Sequence, residues 1–174
     1  GALVMRRGTD VAARIRGGGQ EMGRRSGTEN LAGIAGFGAA AEAAARDLAD
    51  GVWERVAELR NILEISLDPS EKEIILVGQS AVRLPNTSCI AVPGWKGETQ
   101  VMQMDLAGFA ISAGSACSSG KARSSGVLEA MGHGADVAAG AIRVSLGPAT
   151  TEDDVRRFAD AWRGRLKRFR ERAA

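Results

Sequence analysis

Cys117 sits in Ser112-Ala113-Gly114-Ser115-Ala116-Cys117-Ser118-Ser119-Gly120, a stretch whose side chains are nearly all tiny, followed by Lys121, Ala122, Arg123, Ser124 and Ser125. So small and polar a segment packs poorly, which predicts an exposed, mobile loop around its cysteine. A nucleophilic thiol needs access and a lowered pKa, and Lys121 and Arg123 bring positive charge close by. Cys89, inside the apolar run of residues 87–92, is instead predicted to be a buried, inert thiol. His133, the single histidine, lies in Met131-Gly132-His133-Gly134 and is predicted to occupy a solvated turn. Two cysteines and one histidine cannot build a closed Cys/His zinc site, and a papain-like reaction would need His133 as its base.

Two further groupings could bind anions. In Ala141-Ile142-Arg143-Val144-Ser145-Leu146-Gly147 the alternation of a strand puts Arg143 on the face of Ala141 and Ser145, opposite Ile142, Val144 and Leu146. A guanidinium fork held there suits a planar carboxylate, although a surface arginine on a half-exposed strand would look the same. The run Gly17-Gly18-Gly19-Gln20-Glu21-Met22-Gly23-Arg24-Arg25-Ser26-Gly27-Thr28-Glu29-Asn30 leads into a helix. Its glycines allow close backbone approach, and its arginines, hydroxyls and helix start offer donors to a phosphate; a solvated connector is the bland reading.

These groups have to be held by a fold of one domain's size, 174 residues, with a single substantial core. Residues 1–7 read as a strand and 8–28 as a polar, Gly-rich loop. From residue 30 to about 67, the Ala, Leu and Glu content, with Leu48, Val52, Val56, Leu59 and Leu63 three or four apart, predicts one long helix or a pair broken among the glycines between Gly33 and Gly51. Strands are predicted at 74–77, 87–92, 110–113 and 141–146, and helices at 98–107 and 127–131. The last helix starts at Thr151, with Asp154 in the return position of a capping box, and carries Val155, Phe158, Ala159, Trp162, Leu166 and Phe169 as an apolar stripe. The order predicts an α/β or α+β layer of helices on a small sheet.

Composition narrows the function classes. A net charge of +2 is too mild to argue for nucleic acid, and the one basic concentration, residues 163–172, reads as the solvated end of the last helix, where cations complement the helix dipole. No apolar run approaches the roughly 20 residues of a membrane helix. The first residues do not form a signal peptide, and a reducing cytoplasm is the expected compartment for two unpatterned cysteines.

Together, residues 1–7, 17–30, Leu84-Pro85-Asn86, Gly97-Glu98, 112–119, 127–132 and 142–147 resemble the NifS/IscS-like cysteine desulfurases, pyridoxal-phosphate-dependent enzymes of the class V aminotransferase family. The resemblance implies the small α/β domain of a fold type I enzyme over residues 39–174, preceded by a remnant of the large domain and the start of a connecting helix over 1–38. It implies that Cys117 takes the substrate's sulfur as a persulfide, that Arg143 pairs with the substrate carboxylate and that Thr28 reaches the cofactor phosphate of the partner subunit. L-cysteine as substrate, a homodimer and a sulfur-accepting or iron-sulfur scaffold protein complete the implied picture. The family's Schiff-base lysine, in a Ser/His-His-Lys stretch, has no counterpart, since none of Lys72, Lys96, Lys121 and Lys167 follows a histidine. The chain is therefore expected to be the carboxy-terminal part of such an enzyme, with no pyridoxal phosphate bound and no desulfurase activity on its own. A selenocysteine lyase or kynureninase-like relative, and a non-catalytic module that dimerises or docks a sulfur acceptor, are the alternatives.

Overall fold

The computed structural model describes residues 1–67, 73–114 and 125–173. They form two compact units, Gly1–Asp50 and Gly51–Ala174.

In the first unit, residues 1–7 form no β-ladder. The alternation that predicts a strand there is a statement about side chains, and a strand also needs a neighbour to take its backbone hydrogen bonds. A single turn, α1 (Gln20–Gly23), follows, with Glu21 and Met22 in the left-handed region at φ 52° and 58°. Helix α2 (Leu31–Ala49) starts where the Asn30 side chain accepts a hydrogen bond from the Gly33 amide at 3.1 Å. Alanine supplies its propensity, and Glu42 and Arg46 pair one turn apart at 3.3 Å. It buries no residue, and Leu31, Ile34, Phe37 and Leu48 are exposed. The predicted break falls at Gly51, whose φ of 72° is left-handed and costs a glycine little.

The second unit opens with α3 (Val52–Ser66). Its sheet holds β1 (Ile75–Val77), β2 (Thr87–Ala91), β3 (Ser112–Ala113) and β4 (Ala141–Ser145) in the order β1-β2-β4-β3, all neighbours antiparallel. Each of the four lies within a run that the alternation predicts. The helices are α4 (Gly97–Asp105), α5 (Gly126–Ala130), α6 (Ala135–Ala139) and α7 (Glu152–Ala173). One turn and a half of Ala-rich chain, α6 is too short to leave a periodic signal.

The main core lies on one face of the sheet. Ile90, Val92, Ile142 and Val144 meet Leu59 and Leu63 of α3, Met104 of α4, and Val155, Phe158, Ala159, Trp162 and Leu166 of α7. A second cluster on the other face joins Val77, Ala91 and Ala141 to Leu128 of α5 and Ala138 of α6. The α7 stripe is thus the one read from sequence, and its cap forms as expected: Thr151 Oγ1 accepts from the Asp154 amide at 3.2 Å, and Asp154 Oδ2 accepts from the Thr151 amide at 3.0 Å.

Two buried polar groups lock the layers. Gln100, 1% exposed, donates Nε2 to the carbonyls of Trp95 and Gly140, both at 2.9 Å, and accepts from Trp162 Nε1 at 3.1 Å. Glu64 on α3 takes a two-point fork from Arg83 at 2.7 and 3.1 Å and a hydrogen bond from Ser88 of β2 at 2.6 Å. Burial alone would raise the Glu64 pKa, but the hydrogen bonds from Arg83 and Ser88 and the charges of Arg83 and Arg60 outweigh it and hold it below the ordinary value. Among the described residues no helix is long and apolar enough to cross a membrane.

Candidate functional site

Strand β4 delivers Arg143. Its burial alternates from Ile142 to Ser145, with Ile142 and Val144 in the main core and Arg143 and Ser145 exposed on the opposite face. The fork therefore stands on the face that the alternation predicts. Register then sets its neighbours: Cys89 of β2 and Ser112 of β3 are its direct cross-strand partners. Directly opposed residues share a face, so Cys89, Arg143 and Ser112 form one row across three strands. Thr87 and Ser145 make the next row, their hydroxyls 3.3 Å apart.

The ends of β4 are fixed by backbone contacts. Asn86 closes one end, its carbonyl accepting from the Leu146 amide at 2.8 Å and its Nδ2 donating to the Leu146 carbonyl at 3.3 Å. At the other end the Gly114 amide donates to the Ala141 carbonyl at 3.0 Å. There Gly97, at the start of α4, packs so closely that a Cβ would stand 2.6 Å from the Ala141 oxygen, so only glycine fits. These ties hold the strand, and with it the arginine, at a fixed height on the sheet.

Cys89 sits within β2. Burial pushes its pKa up, against the pull of the Arg143 charge, and a protonated thiol is a poor nucleophile. It is partly rather than fully buried, because its strand face is the one Arg143 shares. His133 comes just after the turn that ends α5 and is half-buried rather than solvated, its backbone amide donating to the Leu128 carbonyl at 3.0 Å. Cys117, Lys121 and Arg123 lie outside the described residues. Among the described residues no group of three or more His, Cys, Asp or Glu side chains could hold a metal ion.

Thr28 belongs to the first unit, where it lines a concavity of about 830 Å³ together with Arg24, Arg25, Asn30 and Gly33. The loop before α2 is tied to itself. The Ser26 amide donates to Ile15 at 2.9 Å, Ser26 Oγ donates to Arg16 at 3.0 Å, and Arg25 curls back to donate to the Ser26 and Gly27 carbonyls at 3.1 and 2.8 Å. Arg25 thus shapes the loop, while Thr28, Arg24 and the start of α2 line the concavity beside the Glu21 carboxylate and the apolar Leu3, Met5, Ile34 and Phe37. Left-handed Glu21 and Met22 nearby hold uncommon backbone geometry of the kind that clusters at ligand clamps. What the sequence did not single out is the Cys89–Ser112 flank of Arg143; alternation gives the faces of each strand, whereas this row depends on the register between strands.

Residues 8–158 match the family described as aminotransferase class-V. Over 171 residues the chain is 43% identical to a cysteine desulfurase of Gluconacetobacter diazotrophicus, covering 98% of this chain and 42% of that protein. It is 37% identical over 170 residues to the cysteine desulfurase IscS of Dictyoglomus turgidum, covering 98% and 43% respectively. Among solved structures, a NifS-like protein from Rickettsia africae matches with a TM-score of 0.79 at 31% identity, over 91% of this chain and 41% of that one. The chain spans about two-fifths of the length of these relatives.

Proposed function

The chain belongs to the aminotransferase class-V family, and from that premise we propose that it is the carboxy-terminal portion of a cysteine desulfurase, contributing the carboxylate clamp and the sulfur-accepting thiol. The observation that carries this reading is the position of Arg143, exposed on the sheet face and paired across the ladder with Ser112. Ser112 lies five residues before Cys117 in the chain, which bounds the distance between their Cα atoms at about 18 Å. That short separation along the chain supports a reading in which the Cys117 thiol acts on a substrate held by Arg143.

In this reading the Arg143 guanidinium takes the carboxylate of L-cysteine through two parallel N–H donations. The Cys117 thiolate attacks the substrate sulfur. A sulfur–sulfur bond forms as the carbon–sulfur bond breaks, and the electron pair of the broken bond stays on carbon, where a proton completes L-alanine. The persulfide left on Cys117 is then passed to a sulfur-acceptor or iron-sulfur scaffold protein. Pyridoxal phosphate, when bound in the longer enzyme, supplies the electron sink for the carbon centre. This chain's residues fit its phosphate end alone: Thr28, Arg24 and the start of α2 offer donors, in this reading to the cofactor of a partner subunit in a cytoplasmic homodimer. No lysine of this chain follows a histidine. The division into a large-domain remnant over residues 1–38 and a small domain over 39–174 belongs to the same proposal.

The test uses the longer enzyme that contains this segment. Cys117→Ala should abolish sulfide release from L-cysteine while leaving the cofactor's absorbance unchanged. Arg143→Ala should raise the KM for L-cysteine about 100-fold, the loss of two charge-assisted hydrogen bonds. Undiminished sulfide release by Cys117→Ala would sink the assignment, and faster turnover of L-selenocysteine would move it to a selenium lyase. This chain alone, given pyridoxal phosphate and L-cysteine, should form no alanine.

A further inference from the structure

Helix α7 neutralises most of its arginines. Arg156 pairs with Glu152, Arg157 with Asp153 and Asp154, Arg163 with Asp160, and Arg170 with Glu73. On one side this pattern stops. Arg165, Arg168 and Arg172 line a groove of about 440 Å³ with Lys96 from the start of α4, and among the described residues no carboxylate lines it. Arg165 is held at the wall, Nε donating to the Gln103 carbonyl at 2.8 Å and one terminal nitrogen to the Ala161 carbonyl at 2.9 Å. Lys96, Arg168 and Arg172 make no ion pair among the described residues.

The groove is also apolar along one edge. Leu106 is 82% exposed, and Phe169, half-buried, stacks on Trp95 with ring centroids 5.6 Å apart. Gln103 Oε1 and Trp95 Nε1, both in residues that line the groove, are buried without hydrogen-bond partners among the described residues. Like charges gathered without counter-charges repel one another, which is a cost the fold itself does not recover.

We propose that this groove docks an acidic segment of a partner protein, one that presents a stripe of carboxylates beside a stripe of apolar side chains. The spacing selects that class. Arg165, Arg168 and Arg172 follow i, i+3, i+7, so their charges run along one side of α7 over about 10 Å. A single phosphate calls for donors that converge on one point, whereas a row of this length matches carboxylates one helical turn apart on a facing segment. Trp95 is 2% exposed, so its ring presents no face on which a nucleic-acid base could stack. The edge made by Leu106 and Phe169 gives the segment's apolar stripe somewhere to go. This holds whichever reaction the chain serves.

The test is fluorescence anisotropy of the whole chain with a labelled helical peptide that carries Glu at every third or fourth position and Leu beside it. Arg168→Glu with Arg172→Glu should weaken binding about tenfold or more. Arg156→Glu with Arg163→Glu, an equal change of net charge outside the groove, should change it by less than about twofold. Leu106→Ser should weaken it about threefold, with thermal unfolding unchanged. The proposal is overturned if both charge reversals weaken binding equally, if Leu106→Ser has no effect, or if inorganic triphosphate or a single-stranded oligonucleotide binds more tightly than the peptide.

Discussion

Glu64→Gln isolates the ion pair that joins α3 to the sheet. The Glu64 side chain is 7% exposed and that of Arg83 is 18% exposed, so the fork is shielded but not sealed from water. Glutamine keeps the shape, loses the charge and turns an amide donor toward a guanidinium or toward the Ser88 hydroxyl. Breaking a buried pair from one side costs about 3–5 kcal/mol, and the partial access of water to Arg83 puts this case at the lower end, about 3 kcal/mol. At roughly 2–4 °C per kcal/mol for a chain of this size, the midpoint should fall by about 6–12 °C. Urea unfolding followed by the emission of Trp95 and Trp162, 2% and 0% exposed, reads it directly. The pH dependence has a definite sign. The folded pKa of Glu64 lies below its unfolded value, so the pair's contribution is complete above the ordinary carboxylate value of about 4.3 and disappears as pH falls through the lower folded value. The difference between wild type and variant should be flat at neutral pH and shrink in acid. A loss under about 1 kcal/mol, or a difference that persists undiminished in strong acid, would refute the reasoning.

Three other outcomes follow from the packing. Gln100→Leu strands two carbonyls and the Trp162 indole N–H in the core, and should cost about 2–4 kcal/mol in urea unfolding. Gly140→Ala drives a Cβ into the Val92 carbonyl where α6 meets β4, and should cost about 1–3 kcal/mol in the same assay. Limited trypsin digestion should cut first at the arginines of residues 6–25, seen by mass spectrometry as loss of the N-terminal peptides, because nothing in Gly1–Asp50 is buried; first cuts after Arg156 or Arg163 would contradict it.

What the sequence made legible was local. The face of Arg143, the Thr151 cap and the α7 stripe follow from periods of two and 3.6 within one element, and each is present. The break at Gly51 follows from one residue's tolerance of left-handed backbone. What stayed hidden depends on partners far along the chain. The Glu64–Arg83–Ser88 cluster joins α3 and β2 to the connection before β2, and no spacing announces it. The strand expected at residues 1–7 failed for the same reason, since its alternation names no neighbour. At the site, Arg143 was legible and its row with Cys89 and Ser112 was not, because register is a property of pairs of strands.

That register also has a consequence in time. The central ladder joins Ala91 to Ala141 and Thr87 to Ser145, strands separated by the whole of α4, β3, α5 and α6. Closing so long a loop costs entropy before any ladder bond or core contact repays it. Helices α2 and α7 can form from neighbouring residues on their own, but the platform that carries Arg143 exists only once β2 and β4 have found each other. Refolding of the Gly51–Ala174 unit should therefore be paced by that one encounter, with the face that carries Arg143 among the last features to appear.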